Sequence, residues 1–189
     1  MATSEPSIRL LGRRSIGENA RFSIHFDDIA DERGNRVQDF LAVLPRVEAA
    51  GGVTGIAALP VQGERVGLMR IWRHPYGGAG WEAAMGFMDA GETAEAAALR
   101  ELQEETGLAA QAGGVVDLGL LSPAPSIIRA RIRLYAVHVQ GEDSGVPAGE
   151  AGHGHFAWFS RADALDLAAR GDIVEPCTLV ALYRYLLVR

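Results

Sequence analysis

The chain has 189 residues, 18 basic against 24 acidic side chains for a formal charge of −6, and 48% hydrophobic residues. That length suits one domain with a sizeable core, and the composition excludes disordered, collagen-like and coiled-coil classes. An acidic balance without a basic block argues against nucleic-acid binding, and no apolar run approaches the ~20 residues that a membrane span needs. The lone Cys177 rules out a disulfide scaffold and a cysteine zinc site, and it fits a reducing cytoplasm. The opening residues, MATSEPSIRLLGRR, lack a basic segment followed by an apolar stretch, so a cytoplasmic chain without a secretion signal is expected. All 18 basic residues are arginine. Schiff-base and lysine-nucleophile chemistry are therefore excluded.

In chain order, short apolar or alternating blocks predict strands at Ile8–Leu11, Arg21–Phe26, Val37–Leu44, Val53–Leu59 and Val66–Trp72. Turn chemistry separates them at Gly17–Asn19, Asp31–Asn35, Gly51-Gly52 and Gln62-Gly63. A helical period takes over at Thr93–Thr106, with Thr93 as N-cap, Gly107 as the stop and Ala98, Leu99 and Leu102 on one face. Strands follow at Val115–Leu121 and Arg131–Val139, then a Gly-rich acidic stretch, Gly141–Gly154, that reads as a loop. A strand at Phe156–Phe159 and helices at Arg161–Arg170 and Pro176–Val188 complete the chain, the last burying Leu179, Leu182 and Leu186. The whole reads as an α+β chain, with residues 1–45 as an N-terminal β arm and 46–189 as the main domain.

The segment that carries chemistry is GFMDAGETAEAAALRELQEETGL, residues 86–108. On its helix Glu101, Glu104 and Glu105 project within a sector of about 100°, because successive residues turn by roughly 100°. Three like charges so close repel one another unless a cation joins them. Carboxylate oxygens are hard ligands, so the natural cation is Mg²⁺ or Mn²⁺, ions that keep waters and bind phosphates. A solvated acidic face, with Arg100 and Glu104 as an ordinary i,i+4 pair, accounts equally for the cluster taken alone.

The wider pattern decides between them. Gly86, Glu92, Arg100, Glu101, Leu102, Glu104, Glu105, Gly107 and Leu108 fill every specified place of G-x5-E-x7-R-E-U-x-E-E-x-G-U, where U is a bulky apolar residue. By this motif the chain resembles the Nudix hydrolases, which cleave a nucleoside diphosphate linked to another moiety with water and a divalent metal. The resemblance implies an α/β/α sandwich around a mixed sheet, with the box as loop–helix–loop. It further implies Glu101, Glu104 and Glu105 as metal ligands, with Glu104 or Glu105 able to serve in catalysis. Arg100 and Glu92 would hold loop and helix in register, and Gly86 and Gly107 would supply backbone that side chains would obstruct.

Flanking residues are similar to the ADP-ribose pyrophosphatase branch. Ile71-Trp72-Arg73-His74-Pro75 resembles that branch's Q-Y-R-x-P strand, which implies a substrate contact for Arg73. Trp81-Glu82-Ala83-Ala84-Met85-Gly86 resembles W-E-x-P-A-G, implying Glu82 at the substrate and the Met85 carbonyl on a metal. Ser122-Pro123-Ala124 resembles an S-P-G turn, implying a substrate role for Pro123. Ala84, Met85 and Ala124 depart from that pattern, and Ile127 and Ile128 stand where many relatives are polar. The resemblance implies an acidic general base on the loop after the box, with Glu150 first and Glu142, Asp143, His153 and His155 as alternatives. It also implies a homodimer through the N-terminal arm and a nucleotide-sugar substrate, ADP-ribose first, yielding AMP and ribose 5-phosphate. GDP-mannose or another nucleotide sugar is the alternative, as is a non-catalytic ADP-ribose sensor.

Overall fold

The computed structural model describes residues 5–140 and 151–187. Chain contacts divide it into two compact units, one of residues 1–47 with 124–130 and the other of 48–123 with 131–189.

The first unit is an antiparallel sheet of β1 (Ile8–Glu18), β2 (Phe22–Asp31) and β3 (Arg36–Pro45), in that order. The Asp31 side chain fixes the β2–β3 turn by accepting from the amides of Arg33 and Asn35, each at 2.9 Å. Arg13 and Asp27, opposite each other on β1 and β2, form a two-pronged ion pair with both contacts at 2.7 Å. Residues 124–130 join β3 through the Val43 amide on the Ile127 carbonyl at 2.9 Å and the Arg129 amide on the Val43 carbonyl at 3.0 Å.

The second unit is a seven-stranded mixed sheet between helices. Its strands are β4 (Gly55–Gln62), β5 (Arg65–Arg73), β6 (Gly78–Glu82), β7 (Ala84–Phe87), β8 (Ala109–Leu121), β9 (Ile132–Gln140) and β10 (His153–Ser160). The main order is β10-β5-β4-β9-β8, with β6 paired to β5 and β7 to β4; among the described residues of this sheet only the β4–β9 pair is parallel. The helices are α1 (Ala94–Thr106), α2 (Arg161–Arg170) and α3 (Pro176–Leu187).

Alternation along the central strands makes the three layers. Ile56 and Ala58 of β4 with Tyr135, Val137 and Val139 of β9 pack on Ala97, Ala98 and Leu102 of α1. Ala57, Leu59 and Val61 with Leu134 and Ala136 point to the opposite face, against Ala164 and Leu167 of α2 and Ala181, Leu182 and Leu186 of α3. A strand buried on both faces reads as a near-continuous apolar run, as GIAALPV does here. Among the described residues no helix is long and apolar enough to cross a membrane.

β1 runs to Glu18 and β2 to Asp31, past the expected Leu11 and Phe26, Leu179 is only partly buried, and three further features differ from the expectation. Residues 78–87 form β6 and β7, short strands whose Gly and Ala content hides their period. β8 begins at Ala109 rather than Val115, because Gly113, at φ 68°, lies in an irregularity that shifts the register between Ala110 and Val115. β10 begins at His153, inside the stretch read as loop. A Cβ on Gly152 or Gly154 would come within 2.7 Å of the Trp72 or Arg70 carbonyl. Those glycines permit close approach of two backbones, a role that sequence composition cannot separate from loop.

Candidate active site

The acidic helix is built as its sequence suggests. The Thr93 hydroxyl accepts from the Ala96 amide at 3.2 Å, and Gly107, left-handed at φ 67°, caps the other end through its amide on the Gln103 carbonyl. Leu102 is buried, so the neighbouring Glu101 and Glu105 are carried toward β7 rather than into open solvent.

At β7 they meet the backbone. The Met85 amide donates to Glu105 Oε2 at 3.1 Å. The Glu101 carboxylate, held by Arg100, occupies the space a Cβ on Gly86 would need, so any other residue there would displace it. Both acids are largely buried, whereas the Glu104 side chain is 58% exposed. The acidic face is therefore not the exposed surface that helical spacing implied; the unread strand β7 covers two of its three members.

Arg100 is the hub of this arrangement. Its Nε and Nη2 grip Glu92 at 3.0 and 2.9 Å, and its Nη2 also donates to the Phe87 carbonyl at 3.2 Å. One nitrogen, Nη1, reaches both Glu101 Oε1 at 2.7 Å and Glu104 Oε2 at 3.1 Å. Loop, strand and helix are thus tied by one planar cation whose five N–H groups suit carboxylates. The same pairing holds the Glu92 carboxyl below the usual carboxylate range, hydrogen bonding outweighing desolvation, and raises the Arg100 guanidinium further above its already high value.

A second pair lies on β5 and β6. Glu82 is fully buried and accepts from Arg73 Nε at 3.1 Å and Nη2 at 2.6 Å. Hydrogen bonding to Glu82 first, opposed by burial, raises the Arg73 pKa, with Glu105 and Glu175 adding smaller coulombic contributions. The Arg73 side chain stays 42% exposed, so Glu82 orients it while one face remains open to solvent. That partnership was hidden in the sequence because it depends on the β5–β6 hairpin, which places Arg73 opposite Gly78 and Met69 opposite Glu82.

His153 Nε2 stands 3.9 Å from Glu105 Oε1, and His155 makes an edge contact with Trp81 at 5.1 Å between centroids. Pro123 is half-buried in a bend just after β8. Glu142, Asp143 and Glu150 fall outside the described residues.

Among the described residues no three His, Cys, Asp or Glu side chains form a ready-made metal cluster. Arg100 supplies a positive charge that holds Glu101 and Glu104 together. The donor chemistry nevertheless fits a hard divalent cation: three carboxylates on one helix, two of them set against adjacent residues of β7.

The NUDIX domain family matches residues 52–176. The chain is 36% identical over 115 residues to an ADP-sugar pyrophosphatase of Mus musculus, covering 58% of this chain and 50% of that protein. It is 33% identical over 134 residues to an ADP-ribose pyrophosphatase of Mycobacterium tuberculosis, covering 68% of this chain and 61% of the other. The matches therefore span about half to three fifths of these relatives' lengths. In fold it is similar to a crystal structure of an ADP compounds hydrolase, at a TM-score of 0.74 and 20% identity, over 98% of this chain and 94% of that one. With an unbroken box held by Arg100 between α1 and β7, and a family match over most of its length, this chain belongs to the NUDIX family.

Proposed function

We propose that the chain is a divalent-metal-dependent pyrophosphatase of nucleoside diphosphate sugars, with ADP-ribose as first substrate and AMP and ribose 5-phosphate as products. The observation that carries the reading is the set of box carboxylates anchored on β7, Glu105 at the Met85 amide and Glu101 at Gly86. The similarity to an ADP-sugar and an ADP-ribose pyrophosphatase supports the substrate class.

Glu101, Glu104, Glu105 and the Met85 carbonyl would hold Mg²⁺ or Mn²⁺. When bound, such a cation neutralises the diphosphate and lowers the pKa of its water. Arg100 keeps the carboxylates from recoiling by sharing their charge and by fixing the loop at Glu92 and Phe87. Arg73, oriented by Glu82, offers its exposed edge to a phosphate or ribose oxygen. Pro123 shapes the turn beside the substrate. Glu150 takes the proton from attacking water, with Glu142, Asp143 or a histidine as its replacement.

Hydrolysis of ADP-ribose, GDP-mannose, UDP-glucose, NADH, diadenosine polyphosphates and nucleoside triphosphates, with and without Mg²⁺, tests this. The expected result is metal-dependent turnover greatest on ADP-ribose, reduced on the order of 10²-fold or more in Glu105→Gln with the fold retained. Preference for GDP-mannose would move the substrate within the class. Calorimetric binding of ADP-ribose with no turnover of any compound would replace the enzyme by a sensor.

A further inference from the structure

His153 lies in a Gly-rich stretch whose backbone runs close against β5. Its neighbours Gly152 and Gly154 lie so close to the Trp72 and Arg70 carbonyls that a Cβ on either would stand 2.7 Å away. The Trp72 amide donates to the Gly152 carbonyl at 2.9 Å, and His153 is paired opposite Ile71. The backbone on both sides of the histidine is thus pressed against β5, and its side chain is only 7% exposed.

That fixed imidazole points at the acidic site. Its Nε2 stands 3.9 Å from Glu105 Oε1, while the other oxygen of the same carboxylate is held by the Met85 amide at 3.1 Å. The nitrogen–oxygen spacing is too long for a hydrogen bond between those two atoms. Two adjacent ligands each about 2.1 Å from an octahedral cation stand about 3 Å apart, so the two atoms need close by less than about 1 Å to share one ion. Neutral imidazole is a common metal ligand, and it favours transition metals over Mg²⁺.

On the metal-site reading above, we infer that His153 Nε2 is a further ligand to the cation held by Glu105. The site is then a mixed nitrogen–oxygen one that selects Mn²⁺ over Mg²⁺. His153 would lend its Nε2 lone pair to the same ion that Glu105 binds.

Electron spin-echo spectroscopy of the Mn²⁺-loaded full chain tests this without relying on turnover, since a directly coordinated ¹⁴N modulates the Mn²⁺ echo. The parent is expected to show that modulation. His153→Gln should lose it while still binding Mn²⁺, about tenfold more weakly, and His155→Gln should keep it. Calorimetry should find Mg²⁺ binding changed by less than about threefold in His153→Gln, because Mg²⁺ is satisfied by oxygens and water. Mn²⁺ bound in the parent, and lost in Glu105→Gln, but without coordinated ¹⁴N would overturn the ligand role of His153 and leave the carboxylate site intact. Failure of the parent to bind Mn²⁺, or equal binding by Glu105→Gln, would overturn both. The parent spectrum decides even where His153→Gln fails to fold.

Discussion

Arg100 shows how one side chain can carry an arrangement that its neighbours alone would oppose. Glu92, Glu101 and Glu104 all bond to it, and without a cation these acids would push apart. The Glu92 pairing also has a pH consequence. Its carboxyl is held below the usual range in the folded chain, so as pH falls the unfolded chain takes up that proton first. Glu92 therefore contributes stability that is present above the ordinary glutamate pKa of about 4.3 and is lost as pH falls through its lower folded value. Denaturant melts without added metal between pH 6 and pH 3 should show that loss, and Glu92→Gln should flatten the slope in the acid range. An unchanged slope in the variant would show that the pair contributes nothing to the acid limb. Gly86 makes a complementary point: a side chain there would displace the Glu101 carboxylate that Arg100 holds, an effect that has nothing to do with a turn.

Among elements, α1 and β7 act together. α1 was legible because its period, N-cap and C-terminal glycine agree, and the described helix begins and ends beside those signals. β7 was not legible, since AMGF has no alternation and its partners on β4 lie 26 to 32 residues away. That omission mattered, because β7 turns Glu101 and Glu105 from an exposed face into a partly buried one. The packing beneath them predicts its own cost. Leu102 is fully buried between α1 and the sheet, so Leu102→Ala should destabilise by about 2–5 kcal/mol. Thr93→Ala, which removes only a cap, should cost about 1 kcal/mol. Urea unfolding of both variants checks the order; equal losses would mean that α1 is held by its ends rather than its buried stripe.

For the molecule as a whole, the N-terminal sheet leaves apolar side chains uncovered. Leu10 and Val37 both lie opposite Ile29, so they share one face, and each is 50% exposed. We propose that these apolar groups belong to an association surface. We expect the arm to pair two chains, as its resemblance to the arm of the ADP-ribose branch implies. Sedimentation of the full chain should give a dimer, and Leu10→Glu with Val37→Glu should shift it toward monomer. A parent that sediments as a monomer across the micromolar range would end that reading.

The identity of the chemistry was written locally, which is why the linear chain disclosed it. Glu101, Glu104, Glu105 and Arg100 lie within a turn and a half of one helix, where 3.6-residue geometry alone places them together. Strands buried on both faces, such as β4, likewise announce themselves by their apolar runs. Long-range pairing does not. The bond between Arg73 and buried Glu82 needs the β5–β6 hairpin, and the approach of His153 to Glu105 needs β10 to lie along β5. Glycines that permit those approaches look the same in sequence as glycines that make loops. What separates them is the carbonyl on the neighbouring strand, and only folding brings that carbonyl near.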